Sequence, residues 1–226
     1  MKRRSTTELL DSDAGTPVEV ARSLRDLRWF NRWFGGVPTV RNLLKTVAGG
    51  SSGRELSVLD VACGDGYLAQ RMEEEFHHQG VSLHFALLDR SSAHLPPDGT
   101  MPKIQGEALR LPFQPASFDF VLTSLFMHHL APDEAVVFAR EALRVCRSAV
   151  LVHDLIRHPL HLMLAYAGLP LYPSRITRND APASVWQAYT VEEMRGFFER
   201  AGAADVAITT HYLYRMGVIA WKAKPR

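Results

Sequence analysis

A glycine-containing turn between an apolar run and a helical pattern holds the residues best suited to bind a ligand. The segment from Ser57 to Ala69 reads SVLDVACGDGYLA. Gly64 and Gly66 carry no Cβ, so the backbone at this turn can approach a ligand closely. A strand, a glycine turn and a helix in direct succession are typical of the first unit of a nucleotide-binding α/β sheet.

The charges at this turn distinguish between two kinds of nucleotide. The spacing Gly64-X-Gly66-X-X-Ala69 also satisfies the dinucleotide fingerprint. Asp60 ends the strand and Asp65 lies within the turn, so both would repel a bound pyrophosphate. The same carboxylates would attract a ligand with ammonium and sulfonium centres. The turn therefore favours a cationic nucleoside such as S-adenosylmethionine (SAM).

At these residues the sequence resembles the class I SAM-dependent methyltransferases, whose first motif reads acidic-X-Gly-X-Gly-X-Gly. Ala62 stands at the first glycine position. Further along, GEALRLPF (106–113) and FDFV (118–121) resemble a pattern of the ubiquinone/menaquinone-type methyltransferases. The resemblance covers about residues 56 to 222. It implies SAM as the cofactor and a Rossmann-like, mostly parallel sheet of seven strands in the order 3-2-1-4-5-7-6, with an antiparallel last strand.

The remaining cofactor residues are expected at strand ends and in the motifs that carry the resemblance. Asp89 ends the second predicted strand about 20 residues after the glycines, where a carboxylate accepts hydrogen bonds from ribose hydroxyls. The resemblance implies that Glu107 holds the adenine amino group and that the Ala108 amide contacts the adenine edge. Ser124 lies at the carboxyl end of the fourth strand, where ligands bind in open α/β sheets. The predicted cofactor site comprises Asp60, Ala62, Gly64, Gly66, Asp89, Arg90, Glu107, Ala108 and Ser124.

Histidines follow the fourth and fifth predicted strands. If the acceptor is a phenol, a base can assist its deprotonation, and His128, His129 and His153 are the candidates, with Tyr189 a weaker one. Asp154 could orient one of these histidines. Adjacent histidines point in different directions on any regular element, so the sequence predicts no metal site.

Residues 155–190 exceed the requirements of a minimal sheet. This segment mixes apolar and aromatic side chains with a few cations, which suits a cover over an aromatic or lipid-tailed acceptor. An extra helical layer without ligand contact is the alternative. Arg178 and Tyr189 of this segment are predicted acceptor residues, as are Arg28 and Trp33 of an N-terminal helix that begins after Thr16. That helix is alternatively a plain amphipathic helix with a solvated basic face.

The order of elements predicts one α/β domain over residues 1–226. Its parts are an N-terminal helical segment (1–50), a SAM-binding core (51–154), the cover insertion (155–190), and a last helix with a terminal hairpin (191–226). Residues 1 to about 16 are polar and are expected to be loose. Breakers are expected at residues 11–15 and 49–53.

Composition indicates which partners and which cellular compartment to expect. A formal net charge of +2 over 226 residues is too small to indicate nucleic-acid binding. Cys63 and Cys146 lack metal-ligand spacing and indicate reduced thiols in the cytoplasm. No apolar run reaches membrane-spanning length, and the oligomeric state is left open.

We therefore predict SAM-dependent methyl transfer to a small-molecule acceptor, with O-methylation of a phenolic, quinone-like or polyketide/lipid-tailed compound favoured over transfer to carbon or nitrogen. An NAD(P)-dependent oxidoreductase would share the glycine turn and Asp89. It would leave Glu107 and the Leu-Pro-Phe motif unexplained, and the chain has no Tyr-X-X-X-Lys pair for hydride chemistry. A SAM-binding module without catalysis is the other alternative.

Overall fold

The computed structural model describes residues 1–10, 15–49 and 53–224. Within these ranges the predicted breakers are only partly visible, because residues 11–14 and 50–52 lie outside them. The helices are α1 (Pro17–Trp33), α2 (Gly36–Ala48), α3 (Tyr67–His77), α4 (Pro132–Val145), α5 (Pro159–Ala167), α6 (Arg175–Gln187) and α7 (Val191–Ala201). The strands are β1 (Glu55–Val61), β2 (Ser82–Asp89), β3 (Lys103–Gln105), β4 (Phe118–Ser124), β5 (Cys146–Leu155), β6 (Asp205–His211) and β7 (Arg215–Trp221).

The seven strands form one sheet in the order β3-β2-β1-β4-β5-β7-β6, which confirms the predicted topology. The first five strands pair in parallel, and β7 is antiparallel to both β5 and β6. The carboxyl ends of β1, β2, β4 and β5 therefore meet at one edge of the sheet. The residues that follow those strands come together there.

Helices cover both faces of the sheet. On one face Leu44 of α2 and Met72 of α3 are buried in one apolar cluster with Leu122 of β4. On the other face α4 and α7 pack on a core that includes Phe138 and Phe198. No helix formed by the described residues is long and apolar enough to span a membrane.

Capping residues determine where two helices begin. The side-chain oxygens of Thr16 and Thr190 each accept a hydrogen bond from the backbone amide of a glutamate three residues later, and the carboxylate of that glutamate accepts one from the threonine amide. These capping boxes satisfy amide groups that the first helical turn leaves unpaired. The predicted starts of α1 and α7 are confirmed.

One helix of the cover segment contains a proline. Helix α6 runs from Arg175 to Gln187 and includes Pro182. Its eighth residue therefore lacks a backbone donor, a loss that the packing of α6 tolerates. Residues such as Ile176 and Val185 are buried along it. Tertiary burial overrides the local proline signal here.

The first ten residues are not loose, contrary to the prediction. The Arg3 guanidinium donates hydrogen bonds to the backbone carbonyls of Gln187, His128 and Leu130. The Asp180 carboxylate accepts from the amides of Leu9 and Leu10 at 2.8 and 3.1 Å. The N-terminal segment is thus fixed along α6 by contacts between residues far apart in the sequence.

Candidate functional site

One cavity of about 860 Å³ lies beyond the carboxyl ends of the central strands. The glycine turn and the residues after β2 and β3 line one end of it. The turn after β4 lines the other end, together with α5, α6 and the N-terminal segment, and α1 lies along its side. The cavity therefore joins the predicted cofactor residues to the predicted cover.

The backbone at the glycine turn faces the cavity in an unusual conformation. Ala62 has φ +56° and Gly64 has φ +55°, both in the left-handed region. Glycine adopts this region without cost, which explains why the resembled motif has glycine where this chain has Ala62. Gly66 differs from its prediction because it does not line the cavity. A Cβ on Gly66 would lie 2.8 Å from Leu87 Cδ1, so this glycine serves the packing of α3 on β2.

Asp60 is a buried carboxyl group at the wall of the cavity. Its Oδ1 has no hydrogen-bond partner among the described residues. Burial, followed by repulsion from Asp89 and Asp65, raises the pKa of Asp60 to about 8. A cation placed beside Asp60 would relieve this cost, so the residues present fit a ligand with an ammonium group.

Asp89 stays ionised in spite of its burial. Burial alone would raise its pKa, but hydrogen bonds from His94 and from the amides of Ser91 and Gly64 hold the pKa below the usual value. The two amides donate to different carboxylate oxygens at 3.0 and 2.9 Å. Asp89 thus ties the glycine turn to the loop after β2, and its remaining lone pairs can accept hydrogen bonds from a ligand.

The other predicted cofactor residues line the same end. Arg90 and Glu107 are exposed at the wall, and Ala108 is half-buried. Ser124 also lines the cavity, and its hydroxyl lies 2.8 Å from His153 Nδ1.

Helix α1 crosses the glycine turn, which places one predicted acceptor residue at the cavity. The Arg28 guanidinium pairs with Asp65 through Nε and Oδ2 at 2.5 Å. Trp33, one and a half turns further along α1, is 62% exposed and does not line the cavity. The structure therefore places Arg28, but not Trp33, where a bound molecule can be contacted.

A buried histidine–aspartate pair forms the wall at the acceptor end. His128 Nδ1 lies 2.6 Å from Asp154 Oδ1, and the His128 amide donates to Asp154 Oδ2 at 3.2 Å. Burial would raise the pKa of Asp154, but the charge and hydrogen bond of His128 hold it below its usual value. An ionised Asp154 therefore accepts the hydrogen bond from His128 Nδ1–H, which fixes the orientation of the ring.

Glu8 reaches this wall from the N-terminal segment. Its Oε1 accepts hydrogen bonds from Ser184 Oγ and Gln187 Nε2 at 2.9 and 2.8 Å, and lies 3.6 Å from His128 Nε2. No local signal predicted this position, because more than a hundred residues separate Glu8 from its partners. Only the docking of the N-terminal segment along α6 places this carboxylate in the cavity.

The side chains of His128 and His129 were expected to point in different directions, but their rings lie next to each other. They lie on a 3-10 turn (Met127–His129) with ring centroids 4.2 Å apart, and His129 Nε2 is 3.9 Å from Glu8 Oε2. Side-chain atoms of Glu8, His128 and His129 lie within 4.8 Å of one another, so these three residues could hold a metal ion. The geometric reason given for excluding a metal was therefore wrong, and the absence of a metal stays a prediction.

Three further predicted site residues do not line the cavity. His153 is fully buried, and burial together with the nearby Arg215 charge lowers its pKa to about 3. The Tyr189 hydroxyl donates to the Leu130 carbonyl at 2.6 Å within the core. Arg178 donates to the Tyr172 carbonyl. These side chains stabilise the walls of the site from behind, so we do not assign them to catalysis or to acceptor binding.

Comparison with known proteins agrees with this fold. A family model described as a methyltransferase domain matches residues 59–152, the stretch from β1 to β5. No curated protein matches the chain in sequence. The fold and the family model confirm the resemblance to the class I SAM-dependent methyltransferases.

Three solved structures illustrate this similarity. Magnesium protoporphyrin IX methyltransferase (ChlM) from Synechocystis PCC 6803, with bound SAH, aligns with TM-score 0.58 at 15% identity over 88% of this chain and 94% of that chain. An O-methyltransferase family 2 protein from Planctomyces limnophilus, in complex with apigenin, aligns with TM-score 0.59 at 16% identity over 91% and 62%. The CMeT domain of the citrinin polyketide synthase aligns with TM-score 0.55 at 13% identity over 77% and 48%. This chain spans about half to two thirds of the length of the last two.

Proposed function

We propose that this protein transfers the methyl group of SAM to a hydroxyl oxygen of a small, largely apolar acceptor, aromatic or lipid-tailed. The observation that carries this proposal is the His128–Asp154 pair in the wall of the cavity that also contains the glycine turn. One end of the cavity fits a cationic nucleoside, and the other offers an oriented base.

The cofactor end supports SAM through charge and hydrogen-bonding capacity. The unpartnered Oδ1 of Asp60 suits the ammonium group of the methionine part. Asp89 would accept hydrogen bonds from the ribose hydroxyls, while Glu107 and the Ala108 amide would contact adenine. Bound SAM supplies a methyl group that is already activated by its sulfonium centre, so the protein contributes alignment and the exclusion of water.

His128 would act as the general base. Asp154 accepts the hydrogen bond from Nδ1–H, so the Nε2 lone pair could accept the proton of an acceptor hydroxyl. Bound SAM would supply the methyl group to that oxygen; its bond to the sulfonium sulfur would break, and SAH would leave. The imidazolium that results lies between the carboxylates of Asp154 and Glu8. Two negative charges next to the ring stabilise its protonated form as the transfer proceeds.

The acceptor end is mostly apolar. The side chains around it come from α1, the turn after β4, α5, the turn after α5, and α6: Leu27, Phe30, Phe34, Phe126, Leu164, Leu171, Tyr172 and Val185. An aromatic ring or an alkyl chain gains free energy by leaving water for such walls, about 25 cal/mol per Å² of apolar surface. This favours an aromatic or lipid-tailed acceptor over a sugar or a polar amino acid.

The test separates cofactor binding from transfer. Calorimetry with SAM and with NADH is followed by turnover assays on phenols with and without alkyl tails. His128→Gln is expected to lower kcat by about 100-fold or more while the Kd for SAM changes little. His161→Gln is the matched control, because His161 also lines the cavity but its Nδ1 contacts the Ile156 carbonyl.

Three results would contradict the proposal. Binding of NADH but not SAM would identify a different class of protein. Binding of SAM without turnover on any acceptor would identify a binding module. Equal losses of SAM affinity and turnover in His128→Gln would indicate a structural role for His128. Assays with and without a chelator show whether the Glu8–His128–His129 cluster uses a metal ion.

A further inference from the structure

Arg215 is a buried cation at the acceptor end of the cavity. It begins β7, where its backbone pairs with Leu155 of β5 and His211 of β6. The residue is 6% exposed and lines the cavity. The pKa of its guanidinium, lowered to about 10 by burial, still keeps it charged at neutral pH.

The guanidinium has no partner within the described part of the chain. Nε and Nη1 are both buried and make no hydrogen bond, and no carboxylate of a described residue lies within 4 Å to form an ion pair. Arginine carries five donors and is almost never buried without an acceptor. Leaving a buried charge uncompensated costs several kcal/mol in measured proteins, so an anion that binds here would regain a large interaction.

Asp154, the acidic residue whose charge acts on Arg215, already accepts hydrogen bonds from other groups. Its Oδ1 accepts from His128 Nδ1 and from the Leu155 amide, and its Oδ2 accepts from the His128 amide. His161 lines the same region, and burial together with repulsion from Arg215 holds its pKa near 4, so that ring is neutral. Among the described residues, Asp154 is the acid whose charge acts on Arg215, and it forms no ion pair with the guanidinium.

The backbone around Arg215 is also unusual. Leu213 and Tyr214, which immediately precede it, both have φ +57°, and Leu125, which follows β4, has φ +56°. Leu125 and Leu213 both line the cavity. Left-handed backbone at a leucine costs free energy and is concentrated at ligand-binding and catalytic sites. This strained turn comes directly before Arg215 and places its side chain at the cavity wall.

We propose that Arg215 binds a carboxylate on the methyl acceptor, so that the acceptor is a hydroxylated aromatic or lipid-tailed acid. A planar carboxylate matches two parallel donors of one guanidinium. A phosphate dianion fits less well, because Asp154 and Glu8 also lie at this end and Arg215 is the single cation among the described residues there that lacks a counter-charge. The carboxylate anchors the acceptor, and the His128–Asp154 pair receives the hydroxyl proton. This inference rests on the proposed function for the identity of the acceptor site.

The experiment compares acids with uncharged analogues of the same shape. Calorimetric titrations of the full chain, saturated with SAH, use dihydroxybenzoate isomers, the matching dihydroxybenzamides and phenyl phosphate. At least one acid is expected to bind about tenfold or more tightly than its amide, and more tightly than phenyl phosphate. In Arg215→Met this preference disappears, while Arg215→Lys retains part of it. Arg25→Met, an exposed position on α1 outside the cavity, is the control and keeps the preference.

The proposal is overturned if no acid binds better than its amide, if phenyl phosphate binds best, or if Arg215→Met keeps the preference. If Arg215→Met does not fold, the preference for the acid over the amide is compared between the wild type and Arg215→Lys. That comparison still tests the proposal. These binding assays need no turnover. Intact SAM binding without an acid preference therefore refutes the role of Arg215 alone, whereas loss of SAM binding refutes the proposed function.

Discussion

The unpaired carboxyl group of Asp60 predicts opposite effects of one substitution on stability and on cofactor binding. Asp60 is buried, its Oδ1 lacks a partner, and its pKa is raised to about 8. Asp60→Asn keeps the size of the side chain and removes its charge. We expect the variant without ligand to become more stable than the wild type by a margin that increases with pH, and to lose affinity for SAM.

The magnitude follows from proton linkage. Between pH 5 and 8 the folded wild type holds a proton on Asp60 that the unfolded chain, with a pKa of 3.8, has released. The folded state therefore binds more protons than the unfolded state, and stability falls as the pH rises. Three pH units at 1.36 kcal/mol each give a loss of about 4 kcal/mol. Asparagine does not titrate, so Asp60→Asn escapes this loss.

Urea unfolding of both proteins at several pH values between 5 and 8 measures this difference. The free energy of unfolding of Asp60→Asn minus that of the wild type is expected to increase with pH, by roughly 4 kcal/mol over the range. All other titrating groups are shared, so they cancel to first order. A difference that stays constant with pH would refute the raised pKa of Asp60.

Calorimetry with SAM supplies the second half of the test. An ammonium group beside Asp60 favours the ionised carboxylate, so binding below pH 8 should release a proton, which is detected by comparing buffers of different ionisation enthalpy. Asp60→Asn should lose this release and about 1.5–3 kcal/mol of affinity, the range for a hydrogen bond to a charged group. Equal affinity and equal proton release in both proteins would show that the ligand ammonium lies elsewhere.

Three further substitutions test separate parts of the site. Asp89→Ala should weaken SAM binding by roughly 1.5–3 kcal/mol in calorimetry, and unchanged affinity would remove Asp89 from the ribose site. Ala62→Gly should raise the free energy of unfolding by about 0.5–1 kcal/mol, because glycine adopts the φ of +56° without steric cost; a lower urea midpoint would contradict this. Glu8→Gln should slow methyl transfer at least about tenfold by removing a charge 3.6 Å from His128 Nε2, with the Kd for SAM unchanged. Full activity in Glu8→Gln would show that this carboxylate only anchors the N-terminal segment.

The cofactor end was predictable because its signals are local. Strand, glycine turn and helix follow one another directly, and each acidic residue sits at a fixed distance from a strand end. Parallel strands bring their carboxyl ends to one edge, so the sequence predicted that Asp60, Asp89 and Ser124 lie at the same edge of the sheet. The order of the seven strands also followed from resemblance at these motifs.

The acceptor end depended on contacts that no short stretch of sequence encodes. Glu8 and Arg215 stand near opposite ends of the chain, yet both line the cavity. The predicted residues Trp33, Arg178 and Tyr189 have suitable chemistry but face away from it or lie within the core.

The sequence by itself therefore indicated the α/β sheet and a turn suited to a cationic nucleoside, because local periodicity, spacing and charge report these directly. The strand order and methyl transfer as the expected chemistry came from the resemblance at the motifs. Only the tertiary structure decided which polar groups surround the acceptor. The direction of a side chain there is set by the packing of α1, α6 and the N-terminal segment over the sheet, and by which buried charges find a partner. Asp154 has a hydrogen-bond partner in His128, whereas Arg215 Nε and Nη1 have none among the described residues.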